Sequence, residues 1–233
     1  MNTTFLRKIE MNTIVKNVLE KYLDENQKIK LPDWCKRVNI DVGTSINAPY
    51  SEIWLKEDPE LCVFAFEPNP YNIEFLKTGG NIWPIHLDPE RINKSFFVSE
   101  CALSNGKARK SKFYCTDGDS GTSSLFEPTK IPVKEVVDVS VITLKNFFDL
   151  FPWGRINTIH HLKIDAQSSD FNIIKGCSTY LKDKVLEVTV ETDTGDHYNN
   201  NENPVEMKNY IENMGFKCNS WGGGDGNFTN LNL

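Results

Sequence analysis

Residues 38–45 have the sequence VNIDVGTS, and residues 62–70 have the sequence CVFAFEPNP. Each stretch begins with a short apolar run that is typical of a buried strand and ends in turn residues. Between them, residues 51–57 suit a short helix, and Asn69 can cap a further helix that has Pro70 at its first position. This strand–helix–strand–helix order predicts a parallel sheet with crossover helices.

The rest of the chain continues the alternation. Further strands are predicted at Phe96–Leu103, Lys112–Cys115, His161–Asp165 and Val185–Thr192, and a terminal hairpin at Phe216–Ser220 and Asn227–Leu233. Ser168 or Ser169 is expected to cap a helix whose inner face extends to Leu181. Asn203 and Pro204 are expected to begin another helix.

The first 35 residues form a predicted helical extension. Apolar residues recur at helical spacing from Met11 to Tyr22, and a polar stretch follows before Pro32. No internal repeat or low-complexity linker interrupts residues 36–233. We therefore expect one domain over residues 1–233, with the extension added to an α/β sheet domain.

Composition and charge narrow the class of protein. The 233 residues are 39% hydrophobic and 25% charged, an ordinary globular profile. The longest uninterrupted apolar run, Leu61–Phe66, is far shorter than the roughly 20 residues that cross a bilayer, and the first residues do not resemble a secretory signal. We expect a cytoplasmic protein without a membrane partner. A net charge of −6 without a Lys/Arg cluster also predicts no nucleic-acid partner.

Cysteine and histidine spacing does not predict a metal site. The chain contains six cysteines and four histidines, and none of them follows the CxxC or CxxH pattern of zinc ligands. Several cysteines lie within apolar segments, which favours buried, reduced thiols over a disulfide framework. The cysteines are Cys35, Cys62, Cys101, Cys115, Cys177 and Cys218.

A candidate nucleotide site follows the first two strands. In an open α/β sheet, ligands bind beyond the carboxyl ends of the strands, and an acid about 20 residues past the glycine turn can hold two ribose hydroxyls. Glu67 follows Gly43 by 24 residues. The chain has no GxGxxG, the main fingerprint of nicotinamide and flavin binding. A glycine turn followed by an unrelated surface Glu is the alternative interpretation.

Six segments taken together resemble, in order and spacing, the FkbM-type methyltransferase family. The segments are DVGTS (41–45), FEPNP (66–70), CALS (101–104), VITLKNF (141–147), LKIDAQSSDFNIIKG (162–176) and VTVE (188–191). The resemblance implies a class I methyltransferase (Rossmann-like) fold, with a mostly parallel seven-stranded sheet, an antiparallel terminal hairpin and helices on both faces. It also implies S-adenosylmethionine as the cofactor and O-methylation of a sugar, glycan or other small molecule.

The resemblance also implies roles for individual residues in holding the cofactor. The methionine part would face Asp41, Gly43, Thr44 and Ser45; the ribose would face Glu67; the adenosine side would face Pro68 and Asn69; and the adenine would be flanked by the backbone of Cys101 and Ala102. Two departures from the family pattern are visible. Asn47 stands where the family usually has a further glycine, and Gln167 begins the segment where the family has the acidic EGxE, so a base at that position does not transfer.

The acids at the carboxyl ends of the later strands are the catalytic candidates. The strand order implied by the resemblance brings Asp165, Glu191 and Asp193 together, with Lys163 retained beside them. His197, in the loop after the fifth strand, is the preferred general base because imidazole titrates near neutral pH, although a loop histidine is also often a solvated surface group. The same three acids offer oxygen ligands for magnesium, although their spacing does not establish a metal.

Three functions stay open at this point. The preferred one is a methyltransferase that acts on a small-molecule or carbohydrate acceptor. The second is a cofactor-binding module without turnover, which Asn47 and Gln167 suggest. The third is an RNA 2′-O-methyltransferase, which the acidic charge disfavours. A homo-oligomer is left open.

Two segments have open alternatives. Residues 116–124, TDGDSGTSS, are either a lid or an exposed turn. The aromatic residues of 147–153 are more typical of core or lid packing than of a sugar-stacking platform.

Overall fold

The computed structural model describes residues 13–78, 84–117, 120–192, 197–199 and 202–233. Its strands form one large sheet and one small sheet. In chain order they are β1 (Arg37–Val42), β2 (Leu61–Phe66), β3 (Phe96–Ser99), β4 (Ala102–Leu103), β5 (Arg109–Thr116), β6 (Val133–Ile142), β7 (Ile159–Ile164), β8 (Val185–Glu191), β9 (Phe216–Gly222) and β10 (Asp225–Asn230).

The helices lie between the strands, except for α1, which precedes them. They are α1 (13–19), α2 (Pro49–Glu57), α3 (Pro70–Thr78), α4 (Leu144–Leu150), α5 (Asp170–Gly176), α6 (Tyr180–Lys184) and α7 (Pro204–Asn213). Short 3-10 turns occupy Glu20–Tyr22, Pro89–Arg91 and Ser120–Thr122. Asn203 caps α7 as predicted, since its side chain accepts hydrogen bonds from the N–H groups of Val205 and Glu206.

The large sheet has seven strands in the order β3-β2-β1-β7-β8-β10-β9. The first five of these are parallel to one another, and β10 runs antiparallel to both β8 and β9. The predicted seven-stranded, mostly parallel sheet with an antiparallel terminal hairpin is confirmed. Since β7 lies beside β1 and β8 beside β7, the carboxyl ends of β1, β2, β7 and β8 meet at one edge.

Both faces of the large sheet are covered by helices, as predicted. Alternate residues of β2 show why, because successive side chains of a strand point to opposite faces. Phe64 packs in a core with residues of α4, α5 and α7, whereas Val63 packs in a separate core with residues of α2 and α3. Each fully buried side chain of this size contributes about 1.5–3 kcal/mol of hydrophobic stabilisation.

The N-terminal extension packs against the sheet through the end of α1 and the turn after it. Leu19 and Tyr22 are buried, and the Tyr22 ring meets Phe64 edge-on at a centroid distance of 6.2 Å. The Tyr22 hydroxyl donates a hydrogen bond to the carbonyl of Val98. The predicted amphipathic helix is therefore present over its described part, and Met11 lies outside the described residues.

The single strand predicted at Phe96–Leu103 is wrong. The N–H of Cys101 donates to the carbonyl of Ser99 at 2.9 Å, which makes a tight turn that ends β3. Beyond the turn, β4 pairs in parallel with β6 in the small sheet, whose order is β4-β6-β5. This small sheet was not anticipated from the sequence.

The continuous helix predicted up to Leu181 is also wrong. The chain breaks between α5 and α6 at Ser178, which has a left-handed φ of 57°. At the end of α5, a Cβ on Gly176 would lie 2.5 Å from the carbonyl oxygen of Ser104, so the helix is seated against the residue after β4.

The predicted serine cap of α5 is replaced by a distant acid. Ser169 precedes the helix, but its side chain makes no capping hydrogen bond. The Glu202 carboxylate instead accepts the N–H of Asn172 at 2.9 Å and the N–H of Phe171. A residue from the loop before α7 therefore supplies the acceptors that the first turn of α5 needs.

Other expectations concern exposure. Cys218 is partly exposed and the other five cysteines are buried, and all six are free thiols. Phe147, Phe148 and Phe151 lie in the core, which confirms the packing interpretation.

Among the residues that the structure describes, every helix is too short or too polar to span a bilayer.

Candidate functional site

A pocket opens at the carboxyl edge of the large sheet. The loops after β1, β2 and β7 form its floor and sides, and the small sheet with residues 121–125 forms its roof. Its lining consists of Val42, Gly43, Ser45, Phe66, Glu67, Pro68, Asn72, Ala102, Leu103, Phe113, Gly121, Ser123, Leu125, Asp165, Ala166, Gln167 and Ser169.

The loops after β1 and β7 touch at Gly43. This residue has a φ of 69°, and a Cβ on it would lie 1.8 Å from the carbonyl oxygen of Asp165. The N–H of Asp165 in turn donates to the carbonyl of Val42 at 3.0 Å. Glycine is needed here both for the left-handed backbone and for the close approach of the two loops.

Asp41 and Thr44 lie beneath the pocket and are not part of its lining. Both side chains are buried. Oδ2 of Asp41 accepts hydrogen bonds from Thr44 Oγ1 at 2.9 Å and from Ser51 Oγ at 2.6 Å. Their observed contacts therefore brace the loop after β1 against α2, while Gly43 and Ser45 face the pocket.

Lys163 joins the two loops from below. Its Nζ donates to the carbonyl of Gly43 at 2.9 Å and lies 3.4 Å from Asp41 Oδ1 and 3.6 Å from Asp165 Oδ2. Burial alone would lower the pKa of Lys163, but the two carboxylates outweigh burial and the net shift is upward. A buried ammonium therefore braces the pocket floor without lining the pocket.

Glu67 lies at the end of β2 with its carboxylate facing the pocket. Oε2 accepts the N–H of Ser45 and Oε1 accepts the N–H of Asn69, each at 2.9 Å. The Asn72 side chain is a third donor to this carboxylate, so about one of its four lone-pair positions is left for a further donor. Burial raises the pKa of Glu67 to about 7.

Asn69 and Cys101, two of the predicted cofactor residues, do not line the pocket. Asn69 Oδ1 accepts the N–H of Tyr71, which caps α3, and its Nδ2 donates to Ser123 Oγ at 3.1 Å. Cys101 is fully buried, whereas its neighbour Ala102 and the predicted Pro68 both reach the lining.

The segment that was expected to be a lid or an exposed turn forms the roof. Gly121 and Ser123 face the pocket. Ser124 Oγ donates to the carbonyl of Gln167 at 2.7 Å, which fastens the roof to the loop after β7. Residues 118–119 lie outside the described residues. Ser123 and Ser124 are buried, so this part of the segment is not an exposed turn.

Two carboxylates meet beside the pocket through an amide. Gln167 Nε2 lies 3.0 Å from Asp165 Oδ1 and 3.1 and 3.0 Å from the two oxygens of Glu191. The Tyr198 hydroxyl is 2.9 Å from Gln167 Oε1. Glu191 is half-buried, and the Gln167 amide links it to the pocket.

His197 lies outside this arrangement. Its side chain is exposed, its carbonyl accepts the N–H of Thr129 at 2.7 Å, and the pocket lining does not include it. Asp193, the third acid of the magnesium hypothesis, lies outside the described residues. Within the described part of the chain, no group of three His, Cys, Asp or Glu side chains is arranged to hold a metal ion.

Several pocket residues were missed at the sequence level. Phe113 and Leu125 come from the small sheet and its loop, whose position depends on the unanticipated turn after β3. Asn72 faces the pocket from α3, one turn after Asn69, which helical spacing could have indicated. The sequence marks Gln167 only as a position where the acid of the family pattern is missing. Tyr198 belongs to none of the recognised motifs.

Comparisons with known proteins give distant structural matches. No curated protein matches the sequence. The crystal structure of methyltransferase FkbM from Methylobacillus flagellatus KT is 11% identical, with a TM-score of 0.46 over 96% of this chain and 54% of that chain. This chain therefore spans about half the length of that protein.

Two human structures also match at 11% identity. The N-terminal domain of METTL16 in complex with SAH has a TM-score of 0.41, over 98% of this chain and 72% of that chain. The methyltransferase 10 domain containing protein has a TM-score of 0.42, over 100% of this chain and 84% of that chain.

The family comparison covers the sheet and the pocket. The family model described as methyltransferase FkbM domain matches residues 41–218. The match begins at the buried acid of β1, includes the three pocket loops after β1, β2 and β7, and ends within β9. It covers about three quarters of the 233 residues. The chain therefore belongs to the FkbM methyltransferase family.

Proposed function

We propose that the protein is an S-adenosylmethionine-dependent O-methyltransferase that acts on a hydroxyl of a sugar, glycan or other small molecule. The observation that carries the proposal is the meeting of Gly43, Glu67 and Asp165, from the ends of three separate strands, around one pocket. Family membership supports methyl transfer as the reaction. We choose a hydroxyl as the acceptor because a carboxylate at the pocket can remove the proton of a hydroxyl group.

The pocket lining suits the chemical parts of the cofactor. The remaining lone-pair position of Glu67 can accept a hydrogen bond from a ribose hydroxyl, and Asn72, which also lines the pocket, lies beside it. Phe66, Leu103 and Phe113 offer apolar surface for an adenine ring. Gly43 and Ser45 have little side-chain bulk, so the methionine part can approach their backbone. When bound, the cofactor supplies an electrophilic methyl group on a sulfonium.

Asp165 is the general base that this geometry favours. Methyl transfer to oxygen requires the acceptor about 3–3.5 Å from the methyl carbon, in line with the sulfur. Asp165 lines the pocket, and its side chain is 40% exposed, so an acceptor hydroxyl can reach it. Lys163 and Gln167 hold the two carboxylate oxygens from opposite sides. Removal of the hydroxyl proton by this carboxylate would accompany methyl transfer.

The alternatives make different predictions. An RNA 2′-O-methyltransferase would bring phosphates near Asp165, Glu191 and Asp225, which are carboxylates at the same edge of the sheet and would repel them. A binding module would hold the cofactor without turnover. His197 as the base and a magnesium ion as activator both stay hypotheses, as does a cytoplasmic location.

The direct test has two stages. Calorimetry with S-adenosylhomocysteine should show saturable binding, and its absence would remove the cofactor from the proposal. Transfer from methyl-labelled S-adenosylmethionine should then be measured on panels of sugars, small alcohols, amines and RNA, with Asp165→Asn as the matched control. Product on sugars or alcohols that is lost in the control supports the proposal. Binding without transfer to any panel supports the binding module, and transfer only to amines or RNA overturns the acceptor class.

A further inference from the structure

The amide of Gln167 lies in a position where two carboxylates converge. Its Nε2 is within hydrogen-bond distance of one oxygen of Asp165 and both oxygens of Glu191, at 3.0–3.1 Å. An amide nitrogen carries two N–H groups, so it can donate to both carboxylates at once. Asp165 and Gln167 come from the loop after β7, and Glu191 is the last residue of β8.

The other end of the amide has a partner as well. Gln167 Oε1 lies 2.9 Å from the hydroxyl of Tyr198, a buried side chain. The same hydroxyl is 2.7 Å from the carbonyl of Thr122, and its single proton can serve one of these two oxygens at a time. Two carboxylates on one side and a hydroxyl on the other therefore favour the nitrogen facing Asp165 and Glu191.

The backbone of this loop is held in place as well. Gln167 and Ser168 have left-handed φ values of 50° and 73°, which side chains of L residues rarely adopt. The carbonyl of Gln167 accepts a hydrogen bond from Ser124 Oγ of the roof. The loop after β7 thus directs the Gln167 side chain toward the carboxylates while its backbone is fastened to the roof.

The negative charges of Asp165 and Glu191 explain the role of the Gln167 amide between them. Two carboxylates this close repel each other unless a donor or a cation lies between them. Lys163 lies 3.6 Å from Asp165, and Asp225 is the residue opposite Glu191 in the β8–β10 ladder, so a third carboxylate lies on the same face of the sheet. Oxygen ligands that converge on one point are also the arrangement that a hard cation prefers.

We propose that Gln167 is a positioning residue that takes the place of a cation. Its amide holds Asp165 and Glu191 together and so fixes the carboxylate that receives the acceptor proton without a divalent ion. The described contacts of Gln167 support the positioning of the carboxylate pair. Its value for methyl transfer rests on the function proposed above.

The first test does not require activity. Binding of Mn²⁺ to the full chain, saturated with S-adenosylhomocysteine, is measured by electron paramagnetic resonance for wild type, Gln167→Glu and Gln167→Met. Gln167→Glu puts a third carboxylate at the convergence point, so it should bind Mn²⁺ at least about tenfold more tightly than wild type. Gln167→Met has similar length and no charge, and should not gain this binding. Equal Mn²⁺ affinity in wild type and Gln167→Glu overturns the proposal.

The second test uses turnover on an accepted substrate. Wild type should keep its activity in a chelator. Gln167→Met should lower kcat by up to about 100-fold, because a base displaced by about 1 Å loses that much. The affinity for S-adenosylhomocysteine and the KM for the acceptor should stay within about threefold, since a positioning role acts on the transition state. Unchanged kcat in Gln167→Met, or loss of wild-type activity in chelator, overturns the proposal.

Tyr198→Phe keeps the test decisive if a Gln167 variant does not fold. Loss of the hydroxyl removes the contact that orients the amide, so kcat should fall in the same direction as in Gln167→Met, with a melting temperature close to wild type. A Tyr198→Phe enzyme with wild-type kcat overturns the orienting role. If no acceptor is ever methylated, the proposed function fails while the Mn²⁺ comparison still decides whether Gln167 replaces a cation.

Discussion

The Glu67 carboxylate accepts the backbone N–H of Ser45 at 2.9 Å, which fastens the loop after β1 to the end of β2. The buried Glu67 side chain thus holds the glycine loop in place and offers its remaining acceptor capacity to the pocket. The binding of a ligand to Glu67 therefore depends on the conformation of the loop after β1.

Replacement of Glu67 by alanine should weaken S-adenosylhomocysteine binding by about 10- to 100-fold, because a hydrogen bond to a charged acceptor is lost. Calorimetry measures the affinity, and thermal denaturation separates it from loss of fold. Glu60→Gln is the matched control, since Glu60 is a half-buried acid before β2, away from the pocket lining, and its side chain pairs with Lys36 and Arg37. Unchanged affinity in Glu67→Ala would remove Glu67 from the ribose site.

The raised pKa of Glu67 should make the ligand-free protein less stable at alkaline pH. The group has an ordinary pKa of 4.5 when unfolded and about 7 when folded. The folded state therefore holds this proton more tightly, so the stabilisation is complete below pH 4.5 and is lost as the pH rises through 7. The loss amounts to about 3 kcal/mol.

Urea unfolding at pH 5 and pH 8 measures this change, and Glu67→Gln, which has no titrating group there, should show a smaller difference than wild type. Asp170, whose pKa burial raises to about 8, acts in the same direction in both proteins, so the comparison isolates Glu67. Affinity for S-adenosylhomocysteine should rise through the same pH range, because the ionised carboxylate is the better acceptor. Equal pH dependence in the two proteins would contradict the assignment.

Gly43→Ala should destabilise the fold by about 3 kcal/mol or more, because the new Cβ would overlap the carbonyl of Asp165 and the backbone is left-handed. Gly106→Ala provides the control: it has a φ of 81°, but a Cβ there meets no atom within 4 Å. That variant should cost only about 1 kcal/mol for backbone strain. Similar unfolding free energies for the two variants would show that the loop contact is unimportant.

Asp165→Asn should lower kcat by about 100-fold or more while cofactor affinity changes little, as expected for loss of a general base. His197→Ala should retain wild-type kcat, because the His197 side chain is exposed outside the pocket lining. Steady-state kinetics on an accepted substrate compares the two. The reverse pattern would restore His197 as the base.

The large sheet could be predicted because its strands carry the information locally. Residues 38–42 and 62–66 are apolar runs that end at turn residues, and the family segments supplied the strand order. The turn at Cys101 could not be predicted, because Ala102 and Leu103 are apolar enough to extend β3. Only their pairing with Val141 and Ile142, about 40 residues later, places them in the small sheet.

The candidate site was predictable where a pocket residue follows directly after a strand. Gly43, Ser45, Glu67 and Asp165 follow strands whose ends meet, so their approach follows from the sheet order. Gln167 was missed because its role depends on carboxylates of two strands and a hydroxyl from a third segment.

The capping of α5 by Glu202 has a consequence for the order in which the chain folds. The acceptors for the N–H groups of Phe171 and Asn172 come from about 30 residues later, on the far side of β8. Contacts of high sequence separation form late, because the intervening chain must first be ordered. We therefore expect the first turn of α5 to gain full protection from amide hydrogen exchange only after β8 has joined the sheet.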